Sequence, residues 1–118
     1  MLFSDKELNF DIPKVMGIIN LTPDSFSDGG RFISKKSLKV DRSKVLKEIE
    51  AMENSGASFI DIGAESTRPN SVRISVQEEM DRLMPILEEI KNIKAVVSID
   101  STKGEVIFEA IKKGVNLI

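Results

Sequence analysis

Three observations predict an α/β protein built on a parallel sheet. Short apolar runs alternate with longer stretches of helical periodicity: strand, helix, strand, helix, strand, helix and the start of a fourth strand. Long polar loops follow the first two apolar runs, where α/β proteins carry their ligands. One pattern also repeats, because Gly56-Ala57-Ser58-Phe59-Ile60 and Gly114-Val115-Asn116-Leu117-Ile118 share a helix-ending glycine followed by a strand entry. Such βαβ units imply right-handed crossovers between parallel strands.

The elements follow in order. Leu2-Phe3 and Leu8 to Phe10, separated by Ser4-Asp5-Lys6-Glu7, are expected to form a small hairpin covering one end of the core. Val15-Met16-Gly17-Ile18-Ile19 reads as a short buried strand, and Asn20 to Gly30 as a polar loop with five hydroxyl or carboxylate side chains, a proline and a single aromatic, Phe26. Ser34 to Asp41 reads as an exposed, basic connector, its Lys35, Lys36 and Lys39 solvated. Asp41 or Ser43 can cap a helix with the apolar stripe Val45, Leu46, Ile49 and Met52, stopped by Gly56. Phe59 to Gly63 is the next strand, followed by a second polar loop, Ala64 to Ser71.

Ser75 and Glu78 have the spacing of a capping box. The helix they open carries Val76, Met80, Leu83, Leu87 and Ile90, with Pro85 expected to bend it. Ala95 to Asp100 is the third strand. A short helix with Val106, Ile107, Ala110 and Ile111 then ends at Gly114, and Val115 opens a fourth strand. Met52, Met80 and Met84 fall on helix stripes and are expected to pack, and Lys103 is expected to start its helix facing solvent. In the first copy of the repeat the next residue is Asp61, and the matching position of the second copy would be 119. Three units and part of a fourth are about half of an eight-unit barrel of roughly 250 residues. The expectation is the N-terminal part of a (β/α)8 TIM barrel: residues 1–13 a hairpin cap, 14–118 three βα units and the start of the fourth strand. A small open doubly wound domain is the alternative, but no Gly-x-Gly-x-x-Gly or P-loop signature follows the first strand.

Composition narrows the chemistry. The sequence has no cysteine and no histidine, which excludes disulfides, thiolate or imidazole metal sites, cysteine nucleophiles and a Ser-His-Asp triad within these residues. Its 17 basic and 19 acidic residues are interspersed at a net charge of −2, giving no electrostatic case for nucleic acid or an anionic membrane. No apolar run approaches a membrane span of roughly 20 residues. The first residues lack a signal peptide's basic start and apolar core, so a cytoplasmic location is expected. Chemistry then falls to Asp, Glu, Asn, Ser, Thr, Lys and Arg. Asn20, Asp61 and Asp100 stand at or near the C-terminal ends of three successive strands, which parallel geometry brings to one face. Two carboxylates and an amide there suit a polar heterocycle or a metal-bound anion.

Three motifs carry a family resemblance. Met16-Gly-Ile-Ile-Asn20-Leu-Thr22-Pro-Asp24-Ser25-Phe26-Ser-Asp-Gly-Gly30 resembles the first signature of the dihydropteroate synthases. Ile60-Asp61-Ile-Gly-Ala-Glu65-Ser-Thr67-Arg68-Pro69 resembles the second, and Ser98-Ile-Asp100-Ser-Thr-Lys103 the third-strand motif. The resemblance runs from about Lys14 to the last residue. It implies condensation of 4-aminobenzoate with a dihydropterin methyl diphosphate, giving dihydropteroate and pyrophosphate with Mg²⁺. Residue by residue, it implies that Asn20 holds the Mg²⁺–diphosphate and that Asp100 pairs with the pterin N–H groups. Thr67 would hydrogen-bond substrate, with Asp61, Thr22 and Ser25 also lining the substrate site. Arg68 and Pro69 would close over it with the first loop bearing Asp24 and Phe26, and Asp24, Phe26 and Arg68 are the residues the resemblance assigns to catalysis. A homodimer is implied for the full-length family member. An ionised carboxylate suits adjacent heterocycle N–H donors, and a hard cation with an arginine suits departing diphosphate.

Departures from the family pattern are Ala64 where a second glycine is common, Asn70 where glycine often follows the proline, Gly104 where proline is common, and a longer connector after Gly30. Ile118 would be the isoleucine of the family's fourth-strand Ile-Asn-Asp turn, and Asn116 lies outside that frame. The 118 residues alone are therefore expected to be incomplete and without turnover, as a half-barrel with exposed apolar sheet. Two other readings remain: a pterin-binding methyltransferase using methyltetrahydrofolate, and a noncatalytic half-barrel interaction module. The intact Thr22 to Gly30 loop argues against the first, and the joint presence of Asn20, Thr67 and Asp100 against the second.

Overall fold

A computed structural model describes residues 1–22 and 40–118. Asp24, Ser25, Phe26 and the connector's lysines Lys35, Lys36 and Lys39 lie outside the described residues. Eight elements follow in order: β1 (Leu2–Phe3), β2 (Lys6–Glu7), β3 (Val15–Asn20), α1 (Arg42–Asn54), β4 (Ala57–Gly63), α2 (Val76–Ile90), β5 (Val96–Asp100) and α3 (Gly104–Lys112). Strands β3, β4 and β5 form a parallel sheet in that order. Leu117 continues it beside β5 through a parallel bridge to Ser98, as a fourth strand entry should. The α/β class and the parallel sheet are therefore observed.

Local signals placed most helix ends. The Asp41 carboxylate accepts the Lys44 N–H at 3.1 Å and caps α1, and the Ser75 hydroxyl accepts the Glu78 N–H at 3.1 Å and caps α2. Gly56 and Gly114 end their helices at φ of +101° and +92°, a conformation that favours glycine, which explains the repeat. Helix α2 runs unbroken through Pro85, whose missing N–H falls opposite exposed Asp81. The capping box is only half used, since the Glu78 carboxylate turns to Arg82 at 2.8 Å.

Alternation along the strands separates two faces. Gly17, Ile19, Ile60, Ile62, Val97 and Ile99 look toward the helices. Ile19, Ile60, Ile62, Val97 and Ile99 join Val45, Ile49, Leu83, Ile86, Leu87, Val106 and Ala110 in one buried cluster. Met52, Met80 and Met84 pack against that cluster as expected. Gly17 lets α1 approach, because a Cβ there would lie 2.5 Å from Met52 Sδ and 3.3 Å from Ile60 Cδ1. The opposite face carries Met16, Phe59 and Val96 in one row, Ile18, Asp61 and Ser98 in the next, and Asn20, Gly63 and Asp100 in the last.

The N-terminal hairpin closes the lower end of that second face. It is tighter than the sequence suggests: the return strand is Lys6–Glu7 rather than Leu8 to Phe10, and Ser4 turns the chain at φ of +54°. Leu8 and Phe10 drew the expectation by their apolarity, but backbone pairing outside the turn reaches only Met1 and Leu8. Phe3 meets Phe59 edge-to-face at 5.4 Å and Phe10 lies 6.2 Å from it. Lys6 Nζ donates to the Ala95 carbonyl at 2.6 Å, and burial pulls its pKa below the ordinary lysine range against the opposing charges of Asp5 and Glu53.

At the other end, α2 ties the loops together. Arg82 Nη1 donates to the carbonyls of Ala64 at 2.9 Å and Leu21 at 3.4 Å. Lys103 does not face solvent, contrary to the sequence expectation. Its Nζ donates to Glu79 Oε2 at 2.7 Å and Glu65 Oε2 at 2.9 Å, because buried Glu79 needs a cation. Burial alone would lower the Lys103 pKa, but the hydrogen bonds it donates to Glu79 and Glu65 outweigh it and hold the ammonium above its ordinary range. The Ile74 N–H, then Lys103, hold the Glu65 carboxyl below the usual glutamate range.

Two outcomes are expected. Gly17→Ala should cost about 1–3 kcal/mol in denaturant unfolding, with Met52→Ala in the same chain restoring part of it. Lys103→Met should cost roughly 3–5 kcal/mol at neutral pH by stranding Glu79, and Glu79→Gln on that background should recover much of the loss. The network's contribution also has a defined pH window. Glu65, with its lowered pKa, stabilises above the ordinary glutamate range and loses that contribution as pH falls through its folded value. Lys103, with its raised pKa, contributes fully below the ordinary lysine range and loses it as pH rises through its folded value. Unfolding curves of wild type and Lys103→Met should thus converge at both pH extremes.

Candidate functional site

The row at the C-terminal ends of the strands is the site's floor. Asn20, Gly63 and Asp100 are register partners across β3, β4 and β5, so their side-chain positions share one face. Gly63 keeps the space between its neighbours open. A Cβ at Gly63 would lie 3.7 Å from Asp100 Cβ and 3.9 Å from Asn20 Oδ1. The carboxylate of Asp100 and the carboxamide of Asn20 thus flank a gap with no side chain in it. Both are exposed. The sequence places Asp61 beside them, but it lies one row deeper, paired with Ile18 and Ser98. Its Oδ1 accepts a short hydrogen bond from the Ser98 hydroxyl. Ser98 is itself buried, so the pair presents a fixed acceptor surface behind the gap.

Leu21 and Thr22 lead out of β3. Leu21 is fully buried, and its N–H donates to the Gly63 carbonyl at 2.7 Å, extending the pairing one residue past the sheet. Thr22 is also buried, at the base of the first loop rather than open to solvent.

The second loop is built by its own polar residues. Glu65 Oε2 accepts the Ile74 N–H at 2.9 Å, which pins the loop's two ends together. The Ser66 hydroxyl accepts the Arg68 N–H at 3.3 Å, and the Ser66 carbonyl accepts the Ser71 hydroxyl at 2.9 Å. Ser71 N–H then closes a tight turn on the Arg68 carbonyl at 3.1 Å. Pro69 and Asn70 are its central residues, and Asn70 takes φ of +64°. That is a type II turn with proline presetting the first corner and asparagine tolerating the second, which accounts for Asn70 where glycine would also fit. Thr67 is exposed ahead of the turn and Arg68 is half-buried at its start.

The structure therefore gathers Asn20 and Asp100 around Gly63, with Asp61 beneath, and places Thr67, Arg68 and Pro69 on the loop leaving the same strand end. Four contributors escaped the sequence reading: Gly63, Ser98, Glu79 and Arg82. A signal existed for the last two, since a charged pair three residues apart interrupts the buried face of α2. Glu65 is structural, accepting from the Ile74 N–H and from Lys103 Nζ. Asn116 is also structural, donating to Asp5 at 3.2 Å and accepting the Val97 N–H at 3.0 Å.

What the arrangement can do chemically is limited but specific. It offers a carboxylate acceptor, a carboxamide oxygen and a second carboxylate behind them, below a loop carrying the guanidinium groups of Arg68 and Arg73. Among the described residues no group of three or more acidic side chains could cage a metal ion.

Relatives with the same pattern are known. A dihydropteroate synthase of Haemophilus influenzae is 44% identical over 116 residues, covering 98% of this chain and 40% of that protein. The crystal structure of the Yersinia pestis dihydropteroate synthase with a sulfonamide drug complex superposes with a TM-score of 0.84 at 38% identity, over 98% of this chain and 40% of that one. The Xanthomonas albilineans dihydropteroate synthase with 4-aminobenzoic acid gives 0.79 at 34% identity, over 98% and 41%. The chain thus spans about two fifths of the length of these relatives. Residues 16–118 match the family described as pterin binding enzyme, and with its sheet, strand-end row and second loop in place this chain belongs to that family.

Proposed function

We propose that this chain is part of a dihydropteroate synthase, joining 4-aminobenzoate to (7,8-dihydropterin-6-yl)methyl diphosphate with release of pyrophosphate. The observation that carries the reading is the Asn20–Gly63–Asp100 row: an acceptor and a carboxamide oxygen separated by a side-chain-free gap. The family match and the relative holding 4-aminobenzoic acid support it. In this reading the sheet is the N-terminal part of a (β/α)8 TIM barrel, and the face bearing Ile18, Asp61 and Ser98 looks into its interior. Ile18, 58% exposed, is then an interior side chain awaiting the remaining strands.

Each residue has a role that its position allows. Asp100 accepts the pterin's amino and ring N–H groups through charge-assisted hydrogen bonds. Asp61, oriented by Ser98, accepts from the same ring one row deeper. The Asn20 carboxamide oxygen fits a Mg²⁺ ion that arrives on the diphosphate, because Mg²⁺ uses one or two protein oxygens plus phosphates and waters rather than an all-protein cage. When bound, that ion would neutralise charge on the departing pyrophosphate. Thr67 and Arg68 sit where a second-loop residue can meet substrate, and Pro69 fixes the turn that aims them. The amine nitrogen forms its bond to the methylene carbon as the carbon–oxygen bond to diphosphate breaks, and the amine's proton leaves to solvent.

Expressed from its complete reading frame, the protein is expected to form dihydropteroate, whereas residues 1–118 alone should give no turnover. Asp100→Asn should lower kcat/KM by roughly ten- to a hundredfold, with little change in thermal midpoint because Asp100 is exposed. Methyl transfer from methyltetrahydrofolate in place of condensation would sink the proposal, as would full activity in Asp100→Asn. Chelating Mg²⁺ should stop turnover while leaving the affinity for a pterin lacking diphosphate unchanged.

A further inference from the structure

Helix α2 buries two charges where its packing face calls for apolar side chains: Glu79 is 1% and Arg82 6% exposed. Glu79 is matched by Lys103. Arg82 is harder to explain by stability, because its Nε–H is buried without a partner among the described residues. A well-packed apolar residue in such a place is often no worse for stability than a buried ion. The guanidinium is therefore better understood by what it holds.

Its Nη1 is shared between the carbonyls of Leu21 and Ala64, while Nη2 is anchored on the Glu78 carboxylate. Leu21 is the first residue after Asn20, and Ala64 the first after Gly63. The two strand exits are already joined by the Leu21 N–H on the Gly63 carbonyl. Arg82 adds a rigid planar fork to that junction, which an ammonium on a flexible stem cannot reproduce. Asn20 and the root of the Thr67–Arg68 loop are thereby held in one frame with Asp100, the register partner of Gly63.

We propose that Arg82 is a positioning residue for the reaction, pinning the points where the loops leave β3 and β4 so that Asn20 and the second loop keep a fixed geometry toward Asp100. The proposal rests on the dihydropteroate synthase reading. Arg82 touches no substrate; it acts through the backbone of Leu21 and Ala64.

The test uses the protein expressed from its complete reading frame, with Arg82→Met and Arg82→Lys. Amide hydrogen exchange should quicken about tenfold at Leu21 in Arg82→Met, while Ile60 and Val97 in the sheet centre keep their wild-type rates. In the same variant kcat/KM should fall on the order of a hundredfold, carried by kcat, since misplacement harms the reacting geometry. Arg82→Lys, able to reach one carbonyl, should recover part of the rate. Uniform quickening of all amides would overturn the proposal by making Arg82 a plain stability residue, and so would wild-type kcat/KM in Arg82→Met. If the wild-type protein catalyses no condensation, the functional reading falls separately. Exchange then decides the clamp, with selective quickening at Leu21 supporting it and uniform or absent quickening overturning it.

Discussion

The in-register pairing of β3, β4 and β5 is the constraint on which everything else in this chain depends. One alternation serves two purposes. Ile19, Ile62 and Ile99 enter the helix-covered core because Asn20, Gly63 and Asp100 point the other way. A slip of one residue in any strand would bury a polar side chain among the helices and expose an isoleucine. The apolar core therefore enforces the polar row, and no separate device is needed to bring Asn20 and Asp100 level.

Height within the sheet then sorts the chemistry. The lowest row is apolar, with Phe59 covered by the aromatic hairpin; the middle row is mixed, with Asp61 satisfied by Ser98; the top row is polar and open. Above it, charges rather than hydrocarbon organise the loops. Arg82 and Glu79 reach from α2 to the exits of all three strands, directly at Leu21 and Ala64 and through Lys103 beyond Asp100. Such groups cost desolvation unless they are paired, and among the described residues Arg82 Nε is the buried side-chain atom left without a partner.

Most of the fold could be read in the sequence because its signals are local. Asp41 and Ser75 announce helix starts, Gly56 and Gly114 announce ends, and the strand runs lie where apolarity puts them. The hairpin was harder, since a two-residue strand leaves almost no pattern and Leu8 and Phe10 mislead. At the site, Asn20 and Asp100 were legible from their place at strand ends, whereas the depth of Asp61 was not, because depth follows from register with β5. The fate of Lys103 was equally hidden. Whether a lysine at a helix start is solvated or locked depends on Glu65 and Glu79, which lie 38 and 24 residues away. The first loop's Asp24, Ser25 and Phe26 lie outside the described residues.

The contact between Lys6 and the Ala95 carbonyl closes a span of 89 residues. The hairpin thus has no complete docking surface until both Phe59 and the entry to β5 have been synthesised. At ordinary rates of synthesis that gap is on the order of ten seconds. Until then Phe3 and Phe10 have no aromatic partner in the sheet, and the sheet's lower row has no cover. The segment 1–13 is therefore a latch that closes over β3, β4 and β5 once they have paired, and its docking should report their assembly more faithfully than the formation of any helix.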